Sequence, residues 1–283
     1  MKKIVSVLIG GVIIIGGLLF QHETTKAPNV KTSESDQKLI DIKYDINKYP
    51  ENYTTLNDNK TSLTDEDKAL LKKKSKEHFW VDYNDLDKLG RGDEVTALIT
   101  SQEMKKQRSK ERPPFSSSTQ IAGEFTHANF DKSNQTWHKT NQSERNNKEI
   151  DSNGYHGWLY NKSHTLAWSL GGDMEEHNLS LGTRAQNVGT NKSKDGGGMG
   201  YPETQIRNTL DKKPSTKVYY QVKPVYQDNE LVPRGSHVRA YSVNDNGKTL
   251  NLNVWVFNKQ KGIDINYNDC LLYTSPSPRD RGW

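Results

Sequence analysis

The sequence predicts an α+β fold built on a central antiparallel β-sheet with flanking helices. Three observations carry that prediction. Residues 238–243 and 250–257 flank Asn244-Asp245-Asn246-Gly247, a tight-hairpin signal because Asn and Gly accept positive φ. Leu250, Leu252, Val254 and Val256 alternate with a period of two, which gives a strand one apolar face. Helix-start signals recur upstream, at Thr64-Asp65-Glu66-Asp67, Thr183 and Pro202.

The elements follow in chain order. Met1-Lys2-Lys3 and the apolar run 4–20 read as a secretory signal or signal anchor over residues 1–26. No small-x-small cleavage site follows, and no lipobox cysteine is present. Residues 27–76 read as a polar linker and N-terminal extension. Lys, Asp, Asn and Thr dominate up to about residue 62 without sustained periodicity. The capping box then opens a helix through Lys76, with Asp67 where Glu is usual. Phe79-Trp80-Val81 starts a strand, and 95–100 is a strand or short helix leading into a basic helical stretch. Pro113-Pro114 and the following serines make a loop, and 119–157 is polar and turn-rich.

Residues 154–160 are aromatic and strand-like. Thr183 caps a helix that carries Arg184 and Asn187 on one face. Gly196-Gly197-Gly198 reads as a flexible loop, and Pro202 opens a helix through about Leu210. Residues 218–226 form a strand in which Pro224 implies an edge or bulge. One folded domain is therefore placed at 77–269. Residues 270–283, from Cys270-Leu271-Leu272-Tyr273 onward, resemble a translated sequencing adapter and are expected to lack structure.

Composition narrows the chemistry. The single cysteine, Cys270, excludes an intrachain disulfide and a thiolate metal site. A net charge of +5 permits nucleic-acid binding without demanding it. The basic clusters at 72–76 and 105–112 read as solvated helix faces. Arg91-Gly92-Asp93 is an integrin-type tripeptide, and Leu231-Val232-Pro233-Arg234-Gly235-Ser236-His237 is like a thrombin site. Both read as coincidental, because each is embedded in strand-like sequence.

The most informative stretch joins His164 to Asn187. A neutral imidazole at the end of a short strand is a candidate general base. A carboxamide at the start of a helix is a candidate oxygen ligand for a hard ion such as Mg²⁺. Each residue by itself is commonly structural. Together they supply the two parts that metal-assisted attack of water on a phosphodiester needs.

This stretch resembles the DNA/RNA non-specific endonucleases of the ββα-metal, or His-Me finger, class. It is most similar to streptococcal secreted DNases and the membrane-anchored pneumococcal nuclease. Asn161-Lys162-Ser163-His164 resembles a relaxed form of the family's Asp-Arg-Gly-His, and residues 183–189 resemble its metal-asparagine helix. The resemblance covers about 77–267 and implies a ββα-metal motif, with His164 as general base and Asn187 as metal ligand. Lys162 or Arg184 would neutralise charge at the phosphate. Asn178, Glu203, Asn161 and Gln186 would support the site. It also implies Mg²⁺, with Mn²⁺ as a substitute, and DNA, with RNA in second place, cut with little sequence preference. Lys162 departs from the family's arginine and lacks its planar fork. The expected protein is a secreted or surface-anchored monomer, touching membrane only through its N-terminal segment. The alternative is a non-catalytic surface nucleic-acid receptor on the same fold.

Overall fold

The computed structural model describes residues 29–152, 154–189, 196–268 and 272–273. The signal segment and nearly all of 270–283 lie outside them. Among the described residues no helix is long and apolar enough to cross a membrane.

The chain runs through α1 (Glu34–Ile40), β1 (Tyr53–Thr55), α2 (Asp65–Lys73), β2 (Trp80–Tyr83), β3 (Val95–Thr100) and α3 (Ser101–Arg108). Two small hairpins follow, β4 (Asn129–Asp131) with β5 (Thr136–His138), and β6 (Glu149–Ser152) with β7 (Tyr155–Trp158). Next come β8 (Tyr160–His164), β9 (Leu179–Thr183), α4 (Arg184–Val188) and α5 (Gly200–Lys212). The main sheet closes with β10 (Lys217–Val225), β11 (Gly235–Ser242) and β12 (Asn251–Phe257), ahead of a short β13 (Asp264–Ile265) and β14 (Leu272–Tyr273) pair.

The main sheet is six-stranded in the order β1-β12-β11-β10-β3-β2, antiparallel throughout. The hairpin read from Asn244-Asp245-Asn246-Gly247 is present, with Asn246 at φ 55 and Gly247 at φ 75. Pro224 sits past Val222, the last β10 residue to pair with β3, so one flank of the strand is open where the proline lacks its N–H. The period-two pattern decides the faces. Leu252, Val254 and Val256 join Val95, Ile99, Val218, Tyr220 and Val238 in a core covered by Ile206 and Leu210 of α5 and Met104 of α3.

The opposite face corrects the linker reading. Residues 29–62 are folded against the sheet. Leu39, Ile40, Ile42, Tyr44, Tyr49 and Leu56 pack on Val225, Trp255 and Phe257. Buried Asn52, at φ 63, donates to the Phe257 carbonyl at 2.5 Å and accepts from the Phe257 amide at 3.0 Å. Strand β1 then extends the sheet along β12. The apolar residues of this segment follow the contour of the sheet rather than a helical or strand period, so no periodicity announces them.

The capping box forms as read, and Asp67 has further partners. Its carboxylate accepts from the Thr64 amide at 2.8 Å, the Tyr219 hydroxyl at 2.6 Å and Arg239 at 2.6 Å. Burial by itself would raise this carboxyl; the Tyr219, Thr64 and Arg239 hydrogen bonds outweigh it and hold it below its ordinary value. The tripeptide and the thrombin-like site are both structural. Arg91 is buried, bonded to Asp87 and to the carbonyls of Asp228 and Glu230, and lies 4.4 Å from the Tyr226 ring. Its guanidinium is not presented to a receptor. Arg234 pairs with Glu230 at the mouth of β11.

Candidate active site

The site stands off the main sheet, on a β-hairpin followed directly by a short helix. Strands β8 and β9 pair antiparallel, with His164 opposite Leu179 and Tyr160 opposite Thr183. Helix α4 starts at the next residue. The Thr183 hydroxyl accepts from the Gln186 amide at 3.0 Å and donates to the Lys259 carbonyl at 2.8 Å. Side chains from beyond β12 pin the same turn: Asn258 accepts from the Thr183 amide at 2.8 Å and Gln260 from the Ala185 amide at 3.1 Å. The first amides of a helix lack intrahelical partners, and these buried carboxamides supply them. Sequence reasoning missed both, because their role lies across the fold.

The far end of α4 is also fixed. Gly189, at φ 77, lies so close to the backbone of Gly197 that a Cβ there would come within 2.4 Å of it. The amides of Gly197, Gly198 and Met199 donate to the carbonyls of Val188, Glu51 and Gln186 at 3.0, 2.8 and 2.8 Å. The glycine run expected to be a flexible loop is thus packed at Gly197 and Gly198; residues 190–195 lie outside the described residues.

His164 ends β8, where the chain turns into a loop that Asn178 ties together. Asn178 is fully buried. Its Oδ1 accepts from the Leu166 amide at 2.8 Å, and its Nδ2 donates to the carbonyls of Leu166 and Asp173 at 2.9 and 3.0 Å. The loop therefore returns Asp173 and Met174 to the imidazole, with His164 Nε2 3.2 Å from Met174 Sδ. The Phe115 ring stacks on the other side at 5.5 Å. Burial, reinforced by the charge of Arg112 and opposed by Asp173, pushes His164 down to about 4. Lys162, two positions away in the chain, is not among the causes.

His164 and Asn187 line one cleft of about 480 Å³, together with Arg112, Arg184, Glu203 and Arg207. Arg184 and Asn187 share this face of α4, as their spacing predicts. Glu203 reaches the cleft from α5 and pairs with Arg207 at 3.3 Å, which in turn donates to Ser169 at 3.2 Å. Burial raises the Glu203 carboxyl against the opposing pull of Arg207.

Three expected site residues are placed otherwise. Lys162 borders the cleft, but its ammonium is held by Glu124 at 3.0 Å and by the Thr119 carbonyl, so it is engaged before any phosphate arrives. Asn161 alternates to the other side of β8 and lines a neighbouring pocket. Gln186 is buried under α4, donating to Ser236 of β11 at 3.3 Å, about 100° around the helix from Asn187. Arg112 and Arg207 were not singled out. Arg112 ends the basic cluster read as a solvated face, and Arg207 lies four residues after Glu203, a spacing that pairs charges on a helix.

Residues 119–244 match the family model for DNA/RNA non-specific endonuclease. That match spans 126 of the chain's 283 residues. A segment of the chain is 39% identical, over 120 residues, to a deoxyribonuclease of Streptococcus dysgalactiae subsp. equisimilis. That match spans 42% of this chain and 35% of the relative. Among solved structures, the chain superposes on the Sda1 nuclease with bound zinc ion at TM-score 0.67 and 28% identity, over 82% of this chain and all of that one. It also matches NucA from Streptococcus agalactiae with magnesium ion bound at TM-score 0.54 and 19% identity, over 80% and 88% of the two chains. The second likeness speaks for the fold alone. The hairpin and helix that carry His164 and Asn187 form a ββα arrangement.

Proposed function

We propose that this chain is a secreted, divalent-metal-dependent endonuclease that hydrolyses phosphodiester bonds of DNA, with RNA as a second substrate. The observation that carries the reading is the convergence of His164 and Asn187 on one arginine-lined cleft. The donor set fits a hard ion. Asn187 offers a carboxamide oxygen at the cleft surface and Glu203 a nearby carboxylate, and no described residue of the lining is a cysteine, as suits Mg²⁺ retaining most of its waters. Asn187 would hold the ion directly and Glu203 would act through water. When bound, the ion supplies positive charge beside the scissile phosphate. The similar structure with zinc bound supports a divalent ion.

The chain's own residues do the rest. A His164 held at about 4 is neutral at physiological pH and ready to take a proton from the attacking water. Its ring is fixed between Phe115 and the Met174 loop, so orientation is set before substrate binds. Arg112 and Arg184 present planar donors to phosphate oxygens and stabilise charge as it develops, while Arg207 is held by Glu203, Ser169 and Thr204. Lys162 shapes the cleft wall through Glu124 instead of contacting the phosphate. Met1-Lys2-Lys3 and the apolar run 4–20 support secretion or surface anchoring.

The test is conversion of supercoiled plasmid by purified protein in millimolar Mg²⁺, with EDTA and with His164→Ala as controls. Nicking by the wild type that both controls abolish supports the reading. A protein that binds the plasmid and never nicks it would be a nucleic-acid receptor.

A further inference from the structure

A second pocket, of about 370 Å³, opens on the far side of Lys162 from the catalytic cleft. Lys162 borders both, and its bonds to Glu124 and the Thr119 carbonyl fix the wall between them. Phe115 is shared differently: its ring stacks on His164 and also lines the second pocket. None of the catalytic roles above uses this space.

Its chemistry is that of a planar, polar-edged ligand. Phe115 and Phe125 provide apolar rings. Asn161 Nδ2 and Gln120 Oε1 are a donor and an acceptor shielded from solvent, with no hydrogen-bond partner among the described residues. Both side chains line the pocket, and a ligand that draws these atoms toward it recovers interactions the free protein leaves unmade. At the rim, Lys139 and Arg145 lie 4.9 and 5.5 Å from the Phe125 ring. Arg145 is largely exposed, its guanidinium 3.6 Å from the Glu124 carboxylate. Aromatic rings, carboxamide edges and rim cations are the elements with which proteins hold an unstacked base and its phosphate.

We propose that this pocket receives one unstacked nucleobase of the strand whose phosphate occupies the catalytic cleft. The proposal rests on the nuclease reading for the position of that strand. A base paired within a duplex cannot enter such a pocket without flipping out. Single-stranded or locally opened nucleic acid is therefore the preferred substrate, and the pocket adds affinity at one nucleotide beside the cleaved bond.

The experiment walks one abasic residue along a single-stranded oligonucleotide. With the wild type in Mg²⁺, kcat/KM is expected to fall about tenfold when the abasic residue stands at one position flanking the cleaved bond, the scale of one lost base–aromatic contact. Gln120→Ala and, separately, Phe125→Ala should each shrink that difference. Equal rates at every position overturn the proposal. Binding of the same oligonucleotides to His164→Ala, read by fluorescence anisotropy, keeps the two readings apart. If the wild type cuts nothing, the nuclease reading fails, while a position-specific loss of binding still supports the pocket and uniform binding still overturns it.

Discussion

The acid limb of the pH–rate profile is where the structure commits most sharply. His164 is the proposed base, so only molecules with neutral imidazole turn over. A histidine at its ordinary value of about 6.5 keeps roughly a tenth of that form at about pH 5.5. One held at about 4, as burial and Arg112 hold His164, keeps nearly all of it. The wild type should therefore lose little kcat between about pH 7.5 and 5.5, where an unshifted base would lose about tenfold. The assay is initial-rate plasmid nicking at saturating Mg²⁺ across that range. Glu203→Gln should leave the limb in place, which separates it from titration of that raised carboxyl. Arg112→Gln should move the limb toward the ordinary value, because it removes a cation that disfavours imidazolium. The same shift has a stability side. The unfolded imidazole binds its proton from about 6.5 downward and the native one only near 4, so stability is complete above about 6.5 and drains as pH falls toward 4. A wild-type limb centred near 6.5 that survives Glu203→Gln would refute the buried, Arg112-shifted base.

Other outcomes follow from the same geometry. His164→Ala should lower turnover by ~10²–10⁴-fold while leaving binding of DNA in place, since phosphate contacts carry affinity; filter binding and nicking on one preparation read both. Asn187→Ala should abolish Mg²⁺-dependent cleavage with little change in melting temperature, and activity retained at low millimolar Mg²⁺ would mean another residue holds the ion. Thr183→Ala should cost about 1 kcal/mol through the lost cap and raise the Mg²⁺ needed for half-maximal rate, with rescue by Thr183→Ser. Beginning the chain at residue 63 uncovers Trp255 and Phe257, each worth ~1.5–3 kcal/mol when buried, so melting should fall by roughly 10 °C or more; an unchanged melting curve would show that the N-terminal segment is dispensable.

What the sequence determined by itself is local. The Asn244-Asp245-Asn246-Gly247 hairpin, the alternation through Val256, the Thr64–Asp67 capping box and the Thr183 cap are decided by neighbours in the chain, and all are present. The spacing that puts Arg184 and Asn187 on one face of a helix, and the strand end that presents His164, are local too, which made the heart of the proposed site legible. What only the tertiary structure decided involves partners far apart in sequence. The N-terminal segment packs on strands some 200 residues later in the chain, through Asn52 and Phe257, without any period to announce it. Lys162 is claimed by Glu124, 38 positions upstream, so a cation read as a phosphate contact became part of a wall. The acidity of His164 comes from burial under Phe115 and from Arg112 rather than from the lysine two positions away. Asn258 and Gln260 fix the start of α4 from the far end of the chain. Desolvation and charge act through space, so they become readable only once the chain has brought those side chains together.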